Sequence, residues 1–270
     1  MDIGSIDFWA VHGRSVLHRA SASTKLAAAA ILIVAIVATG DPFTLIAIYL
    51  AVVDGIVLSG LPVLRLLALA AYPVLFVLLF AASRWTGSLL DPLVILLKAM
   101  AAAATMVALV ATTPYPQLFA LLRRVLPWPV ADALFLTYRS LFILLDVLGD
   151  LLVALRLRGG VGRRSYLRNA RNLAAGLGLL LVRGIAYSEQ LYHVLRLRGY
   201  SGRLAAGPSL RPATGADLLP LGAALAILGA VLFFRFVPDG AQYNGFLLLA
   251  SLLALPLAWR ARRPPGMEAR

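Results

Sequence analysis

The chain has 270 residues, of which 61% are hydrophobic and only 14% charged, with a formal net charge of +13, whereas ordinary soluble domains carry roughly 25% charged residues. This excludes a water-soluble globular domain and implies a polytopic all-α membrane protein, large enough for one membrane domain and a modest extramembrane layer. The lack of cysteine rules out disulfides, thiolate metal sites and cysteine nucleophiles, and His12, His18 and His193 are too few for a metal cage. No metal or cofactor is expected.

In chain order, the N-terminus does not read as a signal peptide, because Asp2 and Asp7 precede any apolar run. A spanning helix needs about 20 predominantly apolar residues. Ser21 to Thr39 is the first candidate, closed by Gly40-Asp41-Pro42, where proline cannot continue a helix. Phe43 to Ser59 is the second. It contains Asp54, a charge that costs roughly 2.5 to 3.5 kcal/mol on insertion scales and marks either a polar contact or a carboxylate that snorkels or is protonated near the helix end. Pro62 to Ala82 is the third span, and Leu89 to Thr113 the fourth, entered through an Asp91-Pro92 cap and first-turn proline.

After Pro114 the texture changes. Arginines crowd the stretch from Tyr115 to Arg211, which is too long for a structureless loop. Its apolar and turn pattern predicts helices over Gln117 to Leu126, ended by Pro127-Trp128-Pro129, over Val130 to Arg158, ended by Gly159-Gly160, and over Ser165 to Arg198, ended by Gly199. Two further apolar runs, Leu218 to Val237 and Phe246 to Trp259, close the sequence. The expected organisation is therefore residues 1–114 with four transmembrane helices, 115–211 as a cytoplasmic layer of long amphipathic helices, and 212–270 with the last spans and a basic tail. That makes six spans, or five if the final run lies shallow.

Basic residues are retained on the cytoplasmic side of membranes. Arg14, Arg19 and Lys25 place the N-terminus inside, and six crossings put the loops at Asp41, Arg84 to Ser88 and Asp239 outside, with the arginine-rich stretch and the tail at Arg260, Arg262, Arg263 and Arg270 inside. The positive charge is thus topological, and no nucleic-acid motif accompanies it. Arg163, Arg164, Arg168 and Arg171 are placed to meet anionic headgroups of the bilayer. An ordinary permease with its own substrate path is disfavoured, since intramembrane polar residues are too few to line one.

Within the cytoplasmic layer the pentapeptide Leu-Arg-Leu-Arg-Gly occurs twice, at Leu155 to Gly159 and at Leu195 to Gly199. Each copy falls in the last turn of a long helix, where cations complement the dipole and glycine supplies a left-handed cap. Capping alone accounts for such a pattern. A second role follows from the arginine bias, because guanidinium groups suit bidentate pairing with carboxylates on a partner. Offsets of seven and four put Arg139, Asp146 and Asp150 on one face of the first helix, and Glu189, His193 and Arg196 on one face of the second.

The Leu-Arg-Gly triplets at Leu157 to Gly159 and Leu197 to Gly199 resemble the paired X-Arg-Gly signatures of the transmembrane T component (EcfT/CbiQ family) of energy-coupling factor transporters. The stretch Thr137-Tyr138-Arg139-Ser140-Leu141-Phe142-Ile143-Leu144-Leu145-Asp146 is similar to the one preceding the first signature in the cobalt and nickel branch, and Tyr187-Ser188-Glu189-Gln190-Leu191-Tyr192 to that preceding the second. Asp7-Phe8-Trp9-Ala10, Leu17-His18-Arg19 and Lys25-Leu26 resemble the same branch, except that Ser21-Ala22-Ser23-Thr24 stands where the family has an Asp-Pro. The resemblance implies a non-catalytic subunit of a bacterial cytoplasmic (inner) membrane importer. Its helices would dock two ATP-binding cassette ATPase subunits and pass their motion to a substrate-binding S component of cobalt or nickel type. Arg158 and Arg198 would be the docking arginines, with Gly159 and Gly199 allowing close backbone approach and Arg156 and Arg196 in a supporting place.

A rival reading comes from a different class. Asp146 and Asp150 form an Asp-x-x-x-Asp pair that could hold Mg²⁺ bridging a diphosphate, as in membrane prenyltransferases. No second acidic pair follows Asp91 elsewhere, and the alternative is that both aspartates pair with Arg139 and other arginines of the layer.

Overall fold

The computed structural model describes residues 9–11, 13, 15–83, 90–124, 126–159, 166–200, 215–236 and 244–261. The loops at Arg84 to Ser88 and Asp239, the arginines Arg14, Arg163, Arg164, Arg203 and Arg211, His12, Asp7-Phe8 and the tail from Arg262 lie outside the described residues. Among the described residues the fold is all helical: α1 (Val16–Arg19), α2 (Ala22–Ala38), α3 (Pro42–Leu58), α4 (Val63–Ala70), α5 (Val74–Ser83), α6 (Leu90–Thr112), α7 (Tyr115–Leu122), α8 (Trp128–Leu157), α9 (Tyr166–Leu197), a 3-10 turn (Gly215–Asp217), α10 (Leu218–Phe236) and α11 (Asn244–Ala261). The chain divides into two compact units, one of Met1–Leu118 with Ser209–Arg270 and one of Phe119–Pro208.

The first unit is a bundle in which α6 packs against α2, α3, α4 and α5, while α3 also packs on α11 and α2 on α10. The two larger of its hydrophobic clusters bind the helices together. Val52, Ile56, Leu66 and Ala104 form one, and Ala35, Ile36, Leu45, Ile48, Ala101 and Val231 the other. Small residues on α6 (Ala101, Ala104, Ala111) are fully buried, which lets neighbouring backbones approach closely, as membrane helix packing requires. The outer surface is apolar as well: on α5, Leu75, Phe76, Leu79 and Phe80 are 59 to 73% exposed. A helix apolar on every face needs a lipid or protein environment. Among the described residues, α6 alone is long and apolar enough to cross a bilayer by itself. The 17 residues each of α2 and α3 reach about 26 Å at 1.5 Å per residue, just short of a hydrocarbon core of about 30 Å.

The third expected span is not one straight helix. It breaks into α4 and α5, which bend by 41°. Pro73 is the cause, because it has no N–H to give the Leu69 carbonyl, and the Tyr72 N–H bonds that carbonyl instead at 3.3 Å. Asp91 likewise sits inside the first turn of α6 and not before it. At the other restart the expectation holds: Asp41 is the N-cap of α3 and Pro42 opens it.

The Ser21-Ala22-Ser23-Thr24 segment makes its own entry into α2. Ser21 is the N-cap, its Oγ accepting from the Thr24 N–H at 3.3 Å, while its own N–H donates to the Asp217 carboxylate, tying the start of α2 to the turn before α10. Two lysines then serve helix C-termini. Lys25 is 5% exposed and its Nζ donates to the Thr112 carbonyl at 2.8 Å, and Lys98 Nζ donates to the Val37 carbonyl at 3.1 Å. Each puts a cation where the helix dipole is negative and an orphan carbonyl needs a donor. Lys25→Met is expected to destabilise the purified chain by about 2 kcal/mol, the usual worth of a hydrogen bond to a charged group. An unchanged unfolding midpoint in detergent would refute that role.

Candidate functional site

The second unit is dominated by α8 and α9. Proline at the cap of α8 and within its first turn is compatible with a helix start, where N–H groups lack partners anyway. From there 30 residues in α8 and 32 in α9 run without a further proline, about 45 and 48 Å. The two helices pack against each other. Gly176 of α9 is buried against Leu151 and Leu155 of α8, and Gly184 faces Leu144. As α9 advances α8 recedes, so the pair is antiparallel.

At Gly176 the two helices are in close contact. A Cβ there would lie 2.7 Å from Leu151 Cδ2, whereas at Gly178 nothing lies within 4 Å. Gly178→Ala is therefore expected to stabilise the unit by about 0.8 kcal/mol through helix propensity. Gly176→Phe should destabilise it by about 2 kcal/mol through overpacking. Equal effects in thermal unfolding would remove the close-approach argument.

Each long helix ends on one of the repeated motifs. Leu157 and Leu197 are the last helical residues, Arg158 and Arg198 follow, and Gly159 and Gly199 adopt φ of +67° and +77°. At the second end the Gly199 N–H bonds the Arg196 carbonyl at 3.0 Å and the Tyr200 N–H bonds the Leu195 carbonyl at 2.9 Å, the two bonds of a Schellman closure. At the first, the Gly159 N–H bonds the Arg156 carbonyl at 3.0 Å. At the second tip the backbone is thus satisfied internally, and at both tips the side chains are left outward. Leu157 is 83% and Leu197 89% exposed, and Arg156, Arg158, Arg196 and Arg198 are exposed too. An apolar leucine beside an arginine at a rigid, glycine-closed tip offers both a fork of five donors and a contact surface.

The two tips lie at opposite ends of the antiparallel pair. At about 1.5 Å per residue they are on the order of 40 Å apart at most. They are two separate surface features and not one composite patch.

The guanidinium groups of Arg158, Arg198 and Arg156 form no ion pair or hydrogen bond among the described residues. Arg196 is engaged differently: its Cζ lies 5.8 Å from the centre of the Tyr192 ring, which in turn meets His193 edge-on. That cation–π contact was missed from sequence, although the four-residue spacing of Tyr192 and Arg196 is its signal. Arg139, Asp146, Asp150 and Glu189 are exposed, and among the described residues the aspartates do not pair with Arg139, since exposed groups gain little from pairing in water. An ion pair in this unit joins Arg123 to the buried Asp132 at 3.7 Å, across the Pro127 corner. No group of three or more histidine, aspartate or glutamate side chains able to hold a metal occurs among the described residues, so Asp146 and Asp150 find no third carboxylate.

An all-α membrane bundle with a long antiparallel helix pair defines the protein class as a polytopic membrane protein. The chain belongs to the CbiQ family, described as cobalt transport protein, whose model matches residues 13–207. The match covers both arginine tips and ends before α10. The protein is accordingly a membrane component of cobalt transport. No curated protein matches it.

Proposed function

We propose that this chain is the energy-coupling T component of an energy-coupling factor importer. Residues 115–211 act as its coupling region between the membrane helices of 1–114 and 212–270. The observation that carries the reading is the pair of like tips, each a helix end closed by a left-handed glycine with Arg158 or Arg198 outward. Two tips at opposite ends of one antiparallel pair suit two copies of a partner, and a pair of ATP-binding cassette ATPase subunits is such a partner. Arginine suits their carboxylates because its planar fork pairs bidentately. Movement of the two ATPases would then act on the two ends of a stiff helix pair and be passed to a substrate-binding membrane subunit, with cobalt or nickel as cargo. ATP hydrolysis resides in the partners, and both termini of this chain face the cytoplasm of a bacterial inner membrane.

The test is to purify the chain from its native membrane in mild detergent and identify what stays bound. Two nucleotide-binding subunits and a small membrane protein are expected. Recovery of the chain alone, with Mg²⁺-dependent turnover of a prenyl diphosphate, would instead establish the enzyme reading.

A further inference from the structure

The membrane unit contains a cavity of about 200 Å³ that the coupling role does not use. It lies at one level of the bundle, where the starts of α2 and α10 meet the ends of α3 and α6, and Lys25, Asp54, Ser59, Thr105 and Thr112 contribute its polar wall. The remaining lining is apolar.

Asp54 is 6% exposed and its Oδ1 has no hydrogen-bond partner, a costly state for a buried polar atom. The neighbouring hydroxyls do not serve it. Ser59 Oγ donates to the Gly55 carbonyl, Thr105 Oγ1 to Ala101 and Thr112 Oγ1 to Ala108, each at 2.8 Å. Their protons are committed to their own helices, so these hydroxyls offer the cavity only oxygen lone pairs, as the carboxylate does. The wall calls for a ligand that brings N–H or O–H donors. A bare metal ion fits badly, because hard cations take six or more converging oxygens and most of this lining is apolar. Lys25, held on the Thr112 carbonyl at 2.8 Å, adds a positive charge to the same wall, so a zwitterion balances the site better than a simple amine does.

We propose that this cavity binds the headgroup of an aminophospholipid, with its primary ammonium on Asp54, its phosphate toward Lys25 and its acyl chains along the apolar flank of the bundle. The cavity has headgroup size, below the roughly 300 to 1,000 Å³ of pockets that enclose whole drug-sized ligands. This site does not depend on the ATPase-coupling role and can fail or stand without it.

The experiment uses the full chain reconstituted in nanodiscs of equal phosphatidylethanolamine, phosphatidylcholine and phosphatidylglycerol, with retained lipids counted by native mass spectrometry after mild delipidation. Phosphatidylethanolamine should be retained about tenfold over phosphatidylcholine, whose quaternary ammonium has no N–H, and Asp54→Asn should abolish that preference. Ala223→Phe, which fills the cavity from α10 and leaves the carboxylate in place, should abolish it too and covers the case in which Asp54→Asn fails to insert. Equal retention of the two lipids by the unaltered chain, meaning that the cavity holds water only, overturns the proposal. So does a preference that survives either folded variant. Displacement of the lipid by millimolar free phosphoethanolamine would assign the site to a soluble zwitterion and overturn the lipid source.

Discussion

Replacing Arg158 or Arg198 by glutamate is expected to release the ATPase subunits while the chain still inserts and folds. Both arginines are exposed and unpaired among the described residues, so the isolated chain loses nothing, and surface substitutions of this kind usually stay within about 0.5 kcal/mol. In the assembly the same groups would face carboxylates in a desolvated groove. Truncating one partner of such a pair costs about 2 to 5 kcal/mol, roughly 30- to 4,000-fold in affinity at 1.4 kcal/mol per decade, and charge reversal adds repulsion. The two tips are separate, so each single variant should weaken binding of one ATPase copy and the double variant should abolish co-purification. Arg158→Lys should fall between, keeping the charge and losing the fork. Undiminished co-purification of the ATPase with the double variant would refute the docking assignment.

The second large effect is expected at the glycines behind those arginines. Gly159 and Gly199 have φ of +67° and +77°, with nothing within 4 Å of an added Cβ. The requirement inside this chain is therefore backbone conformation and not space. An L-residue in the left-handed region costs roughly 1 to 2 kcal/mol, and a β-branched one is a true outlier there. Gly199→Val should break the closure made by the Gly199 and Tyr200 N–H groups and swing Arg198 off its aim, lowering ATPase association about tenfold. Gly199→Asn, which tolerates this conformation, should stay within about threefold of the native chain. If asparagine harms as much as valine, the glycine is needed for close approach of the partner backbone, the other role expected from sequence.

Much of this architecture was legible because its signals are local. An arginine-rich turn before glycine set the expected ends at Arg158 and Arg198, one residue beyond the observed ends at Leu157 and Leu197, and Asp41-Pro42 marked the start of α3. Pro73 was just as visible, yet the apolar run on both sides of it concealed a bend of 41°. The family's Asp-Pro was replaced at Ser21 to Thr24 by a different solution, a serine cap joined to Asp217, and no sequence rule pairs residues so far apart.

The sequence by itself determined the membrane class, the helix order, the twin Leu-Arg-Gly ends and the odd charge at Asp54, since all of these rest on composition, period and neighbours in the chain. Only the tertiary structure decided what faces what. It set α8 and α9 antiparallel through Gly176 and Gly184, which sends the two tips to opposite ends. It also turned Lys25 from a topology marker into the partner of Thr112 and left Asp54 facing a cavity. Contacts between residues distant in sequence depend on how apolar faces bury one another, and a nearly uniform run of leucine, alanine and valine does not say which face will be buried.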